Sequence, residues 1–387
     1  MPGRRRPLDE YDRRRDFART PEPPGDPAAG GDDDEDTAET GTAHADAEPT
    51  AGDDDAGDRP RFVIQQHDAT RLHWDLRLEH EGVLLSWALP RGLPWDPGRN
   101  HLAVHTEDHP LEYLTFEGDI PDGSYGAGHM TVWDRGTYVP EKVTDTKVTV
   151  RLHGGRSEGR YALFQTDGRN WMIHRMDPPA DPSRRQVPER FDLLTPVAGP
   201  PPPTGDGWAV ETRWHGVRCV LVSSGGIVHL LTPDGEPIDP WIPEVRPVGR
   251  VLGSTEVALD GVLTAPDGGD ERLRRRFDAR SDSTRRRLSR DQPVLFVAVD
   301  VLWLDGHSLA ERPWTDRRAV LEGLALDGAA WTTPSAYTGD PAPMLAAAAG
   351  ADVTELVAKR VDAPYRADLD PPAWRLVDPR EASGDGS

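Results

Sequence analysis

Lysine is nearly missing from this chain of 387 residues: Lys142, Lys147 and Lys359 stand against 42 arginines. A guanidinium keeps its proton at any ordinary pH and cannot act as an amine nucleophile, so lysine chemistry can draw on three positions only. Cysteine is scarcer still. The single Cys219 excludes an internal disulfide and a cysteine-rich zinc site. No apolar run is long enough to span a bilayer, and the start, MPGRRRPLDEYDRRRDF, lacks the apolar stretch of a signal peptide. A cytoplasmic enzyme or binding protein with no membrane partner is therefore expected. The length exceeds one ordinary core and implies two domains plus tails.

The net charge of −22 argues at first against a nucleic-acid partner, but its location weakens that argument. Thirteen acidic residues and no Lys or Arg lie between Pro24 and Arg59, which leaves −9 for everything else. The arginines cluster at 4–6 and in RLRRRFDARSDSTRRRLSR, 272–290. Formal charge thus says little about any one surface.

Residues 1–24 read as a basic, polar arm. Residues 25–60 are mostly Asp, Ala, Gly, Thr and Glu with no aromatic, a composition that cannot bury a core and predicts a disordered linker. From Arg61 to about 177, short alternating segments such as RFVIQQ, HWDLRLE, LLSWAL and RYALFQT are separated by Gly, Pro and Asp turns. That pattern predicts an all-β barrel or sandwich, with Trp87, Trp133 and Trp171 in its core. DGSYGAGH, 122–129, reads as a turn of that domain. A proline-rich linker follows over 178–207. Residues 208–378 mix strand patterns (WAVETRWHGVRCVLVSS, LFVAVDVLWLDG) with helical ones (DRRAVLEGLAL, PMLAAAAGA), and 379–387 form a tail.

The chemistry concentrates in QQHDATRLHWDLRLE, 65–79. If RLHWDLRLE is a strand, Trp74, Leu76 and Leu78 face one way and His73, Asp75 and Arg77 the other, with same-face neighbours roughly 6–7 Å apart. His67 lies just before, in what reads as the HDAT turn. Two imidazoles and a carboxylate suit a divalent transition metal such as Mn or Zn, and Arg77 beside them suits a phosphate. A second cluster, HLAVHTEDHPLEY, places His101, Ala103 and His105 on one strand face, with His109 and Tyr113 in the turn beyond. A histidine near the metal could hold a phosphoryl oxygen or protonate a leaving oxygen.

These segments, together with RDFARTPEP, SWALPRG, FEGDIPDGSYGAGHMTVWDRGTY and NWMIH, resemble the 3′-phosphoesterase domain of bacterial DNA ligase D over residues 7–23 and about 61–177. The resemblance implies a small β-barrel with a Mn²⁺-dependent site that trims a 3′-terminal ribonucleotide and removes a 3′-phosphate in nonhomologous end joining. It implies metal ligation by His67, His73 and Asp75, and phosphate contact by Arg77 and His109 with Tyr113 in support. Arg15, Asp16 and Glu22 match positions tied to trimming the ribonucleoside. His101 stands where the family tends to carry an arginine and would hold substrate if it points into the site. DNA or RNA–DNA 3′ ends are the implied partners, with a Ku-type end-binding protein and a separate polymerase or ligase, near the nucleoid.

Residues 208–378 resemble the adenylation domain of ATP-dependent DNA ligases, an α+β nucleotidyltransferase-like fold. ETRWHGVR sits where that family has Glu-x-Lys-x-Asp-Gly-x-Arg, which puts Arg213 in the nucleophile position and His215 in that of the aspartate. Val262, Thr354, Glu355, Leu376 and Asp378 replace further family residues, whereas Glu211, Gly216, Arg218 and Lys359 survive. The resemblance therefore implies a degenerate domain with no use for ATP, serving to hold DNA or support structure. Two rivals to a metal-dependent phosphoesterase follow: a noncatalytic DNA-end scaffold, and a ligase using a displaced lysine.

Overall fold

The computed structural model describes residues 8–25, 59–265, 270–351 and 353–383. The linker expected to be disordered falls mainly on 26–58, outside the described residues. The chain divides into two compact units, Met1–Pro182 and Ser183–Ser387.

In the first unit the alternating segments form β1 (Arg61–Asp68), β2 (Leu72–His80), β3 (Val83–Leu89), β4 (His101–His105), β5 (Gly118–Ile120), β6 (Gly128–Thr144), β7 (Lys147–Gly154), β8 (Glu158–Asp167) and β9 (Asn170–Arg175). The hydrogen-bonded order is β1-β2-β3-β4-β9-β8-β7-β6-β5, and β6 also pairs with β1. Eight antiparallel strands thus close into a barrel, with β5 hairpinned onto β6. Period-two alternation decides what fills it. Phe62, Ile64, Trp74, Leu76, Leu78, Trp87, Leu89, Ala103 and Trp171 form the interior core, with Trp133 partly buried against it.

The outward residues of β1 and β2 would face water in a bare barrel. Here they are covered. The arm's short helix, α1 (Asp9–Arg13), and a 3₁₀ turn at Leu111–Thr115 lie over them. Leu8, Tyr11, Val63, Leu84, Tyr113 and Met130 make a second apolar cluster there. Polar groups on this face are thereby enclosed between barrel and arm.

The second unit is α+β. One five-stranded sheet includes Trp208–Thr212, Leu356–Arg360 and Trp374–Val377, and a seven-stranded sheet includes Val217–Ser224, Val257–Thr264 and Leu295–Leu304. The two expected helical segments form Trp314–Gly323 and Pro341–Gly350. Part of the proline-rich segment packs within this unit. Leu194 is buried, its N–H donates to the Tyr365 hydroxyl at 2.9 Å, and Val197–Ala198 pairs with Arg375 and Leu376. Among the described residues, no helix is long and apolar enough to cross a membrane.

Closure of the barrel passes through Gly136, opposite Phe62 of β1 and Gly154 of β7. A Cβ there would lie 2.0 Å from the His153 carbonyl oxygen, a backbone atom that cannot step aside. Gly136→Ala should therefore cost about 1–3 kcal/mol and lower the melting temperature of the barrel unit by about 5–10 °C. An unchanged thermal melt would contradict this β6–β7 pairing.

Candidate metal centre and its surroundings

His67 is not in a turn, as the sequence suggests, but within β1, directly opposite His73 of β2. Gln65 stands opposite Asp75, and Val63 opposite Arg77. The register thus brings the polar rows of two strands together on the outer face. The imidazoles of His67 and His73 lie 4.7 Å apart between ring centres. Ligand atoms of His67, His73 and Asp75 all fall within 4.8 Å of one another.

Each imidazole has one nitrogen tied to a backbone carbonyl. His67 Nε2 is 2.9 Å from the Gly126 oxygen, and His73 Nδ1 is 2.9 Å from the Arg71 oxygen. Carbonyls only accept, so these nitrogens carry the protons of the neutral rings. The lone pairs then fall on His67 Nδ1 and His73 Nε2, which approach the Asp75 carboxylate at 3.6 and 3.5 Å. Two fixed lone pairs around a carboxylate, each ring oriented from behind by a hydrogen bond, form a donor set that fits a divalent cation.

Asp75 is buried, which opposes its ionisation. Arg77 Nη2 at 2.9 Å outweighs that penalty and holds its carboxyl well below the usual range. Arg77 is itself only 3 % exposed. Its Nε donates to Gln65 Oε1 at 2.7 Å and its Nη1 to the Ser86 hydroxyl at 3.0 Å. Gln65 in turn donates to the carbonyls of Tyr113 and Phe116.

His109 and Tyr113 border this centre. Arg77 lies over the Tyr113 ring at 4.7 Å, and the His109 and Tyr113 rings meet edge to face at 4.8 Å. Burial, and then the charges of Arg77 and Arg15, push the His109 pKa well below its ordinary value. Its Nδ1 donates to the Glu107 carbonyl at 2.8 Å, and its Nε2 accepts from Arg15 Nη2 at 3.2 Å. Arg15 Nε also donates to Glu22 at 2.6 Å and Nη1 to Glu107 at 3.1 Å. The Tyr113 hydroxyl donates to Glu22. Burial first, and Glu22 after it, keep that phenol protonated.

The structure therefore brings nine of the ten residues singled out above to one region of the first unit, though not all in the same way. Asp16 is exposed, next to Arg15, and its carboxylate accepts from the Ala18 N–H at 3.2 Å. His101 goes elsewhere. It shares a β4 face with Ala103 of the interior core, and its Nδ1 is 2.9 Å from the Gly92 carbonyl. Residues unmarked in the sequence also take part: Gln65, Ser86, Glu107, Arg14 and the Gly126 carbonyl. Gln65 alone could have been found, because it has the same strand parity as His67.

In the second unit, Lys359 is 1 % exposed. Its Nζ contacts Glu211 at 2.8 Å, donates to the Val299 carbonyl at 2.7 Å and lies 4.2 Å from the Trp374 ring centre. His215 is exposed and pairs with Glu355 at 3.1 Å.

Asp108 allows a pH test of the site's flank. Burial, then Glu107 and Glu10, raise its pKa to about 6. A raised carboxyl pKa gives stability that is complete below the unfolded value and is lost as pH rises through the folded one. Asp108→Asn, neutral throughout, should melt a few degrees above the parent at pH 7.5 and together with it at pH 4. Equal melting temperatures at pH 7.5 would refute that burial.

Residues 65–165 match the family model of the DNA ligase D 3′-phosphoesterase domain. The multifunctional non-homologous end joining DNA repair protein LigD of Mycobacterium tuberculosis is 38% identical over 370 residues, covering 93% of this chain and 43% of that protein. The LigD protein of Pseudomonas aeruginosa is 31% identical over 414 residues, covering 93% of this chain and 46% of its own length. The solved ligase domain of the M. tuberculosis protein overlaps 48% of this chain and 60% of its own at 29% identity, with a TM-score of 0.35. The chain thus spans less than half the length of the curated LigD proteins it matches. Residues 65–165 thus carry a DNA ligase D 3′-phosphoesterase domain, and similarity to LigD proteins extends over 93% of the chain.

Proposed function

We propose that the protein is a divalent-metal-dependent 3′-phosphoesterase. It trims 3′-terminal ribonucleotides and removes 3′-phosphates from DNA or RNA–DNA ends, leaving a 3′-OH for nonhomologous end joining. The observation that carries this reading is the convergence of His67, His73 and Asp75 within 4.8 Å, on the face that also holds Arg77 and His109. Mn²⁺ suits two imidazoles and a carboxylate. When bound, such a cation supplies Lewis acidity toward a phosphoryl oxygen and acidifies water.

The chain's own groups do the rest. Asp75 stays ionised to hold the cation. Arg77 keeps N–H donors beyond the three it uses within the protein, and these can meet a phosphate oxygen. His109, held neutral, presents Nε2 as a proton acceptor toward the region occupied by Arg15. Tyr113 fixes the ring of His109 and the arm through Glu22. Arg15, Glu22 and the exposed Asp16 place the arm where the terminal ribonucleoside would lie. His101, on the other strand face, has no part.

The second unit, on this reading, holds DNA or supports structure and does not use ATP. An arginine occupies the nucleophile position, and the one lysine of the unit is buried in an ion pair. A Ku-type protein and a separate polymerase or ligase would complete the repair. The similarity to LigD along the chain favours a second reading, an active ligase, and the two separate cleanly by experiment.

With Mn²⁺, the full chain should release phosphate from a 3′-phosphate-ended strand. His73→Ala and Asp75→Ala should each reduce this at least about 100-fold and weaken Mn²⁺ binding by calorimetry. Full activity in both variants would defeat the assignment. Incubation with α-labelled ATP should leave no covalent label on the protein, and a lysine adenylate would establish the ligase reading instead.

A further inference from the structure

Tyr125 is unused in the function proposed above. It lies in the turn between β5 and β6 and is 44% exposed, among the more exposed large rings and apolar side chains of the protein. An exposed ring on a turn is ordinarily a solvated side chain with no fixed place. This one is held. Arg14 Nη1 donates to its hydroxyl at 2.5 Å, and the Arg14 guanidinium lies 4.8 Å from the ring centre. The Arg15 guanidinium lies 5.7 Å from the same centre. Arg14 is fixed in turn by Glu107 at 2.8 Å.

The same contacts place the ring at the candidate site. The next residue, Gly126, gives its carbonyl to the metal ligand His67. On the other side, the guanidinium beside the ring, that of Arg15, touches His109 Nε2. Tyr125 is thus one residue from the hydrogen bond that orients a ligand and one guanidinium from the histidine next to the phosphate position. A rigid ring, partly open to solvent and backed by cations, is the usual platform for an unpaired base.

We propose that Tyr125 stacks against the terminal nucleobase of the 3′ end and so sets the preference for a nucleoside-bearing end over a bare phosphate ester. The inference rests on the 3′-end reading of the metal centre. Stacking uses the π-face common to all bases, so the preference is for the presence of a base and not for its identity. A purely structural Tyr125 has a different signature. If it only braces the turn so that Gly126 reaches His67, its loss weakens metal binding and affects every substrate alike.

The test uses the full chain with Mn²⁺ and two matched 3′-phosphate-ended strands, one ordinary and one with an abasic terminal sugar. The parent should show a KM about tenfold lower for the base-bearing end. Tyr125→Ala should raise that KM to near the abasic value without changing the abasic KM, and Tyr125→Phe should keep the preference. No preference in the parent, or an equal effect of Tyr125→Ala on both strands, would overturn the proposal. A second measurement needs no turnover: quenching of 2-aminopurine at the 3′ terminus on binding. Quenching by the parent but not by Tyr125→Ala, with no hydrolysis of any end, would keep the stacking and discard the phosphoesterase reading. Hydrolysis without quenching would discard the stacking alone.

Discussion

One buried guanidinium ties the candidate centre together. Arg77 reaches Gln65 on β1, Ser86 on β3 and Asp75 on its own strand, so a single side chain spans three strands of the barrel. A charge that is 3 % exposed is costly unless it is paired, and Asp75 is the pair. The pairing serves both partners. It offsets the burial of the cation, and it keeps the carboxylate ionised where two imidazole lone pairs converge on it. Loss of Arg77 would leave Asp75 buried without its counter-charge, at a cost of about 3–5 kcal/mol. The same carboxyl would then take up a proton more readily and become a poorer ligand.

The arm repeats this design from the other side. Arg15 points its three nitrogens at Glu22, Glu107 and His109. His109 and Tyr113 are therefore bordered by two guanidinium groups, both of which oppose a positive charge on the imidazole. Glu22 and Glu107 balance Arg15, and Asp75 balances Arg77. Between the two arginines lies a neutral aromatic pair, and among the described residues no carboxylate pairs with both. An anion placed there would reduce the repulsion between them, which is the electrostatic condition for holding a phosphate. The arm does more than cover the barrel, because its Arg15 is one of the two guanidinium groups that border His109.

The barrel was largely legible in the sequence, since alternation with turn residues between segments is a direct consequence of strand geometry. The polar row His73, Asp75, Arg77 was legible for the same reason. His67 was legible as a candidate ligand but not as a strand residue, because its place opposite His73 depends on cross-strand register, which a single strand does not encode. His101 shows the opposite failure. Its shared face with Ala103 was correct, but periodicity cannot say which face is interior, and Trp87 and Trp171 claim that side. The Gly126 carbonyl left no trace, since any residue has one. The contact between Glu22 and Tyr113 joins positions 91 apart, and nothing local announces it.

The second unit poses its question through Lys359. Its ammonium group meets the Glu211 carboxylate, the Val299 carbonyl and the face of Trp374. Burial raises the Glu211 pKa, and Lys359 is the largest influence working against that rise. Withdrawing the lysine would leave a carboxylate that is 2 % exposed, with Arg318 at 3.7 Å as the ion-pair partner that remains. The two groups are therefore bound to one another by cost: each is tolerable in the interior because the other is there. A lysine in that position braces the sheet that contains Glu211, and the holding role proposed for the unit draws on this ion pair.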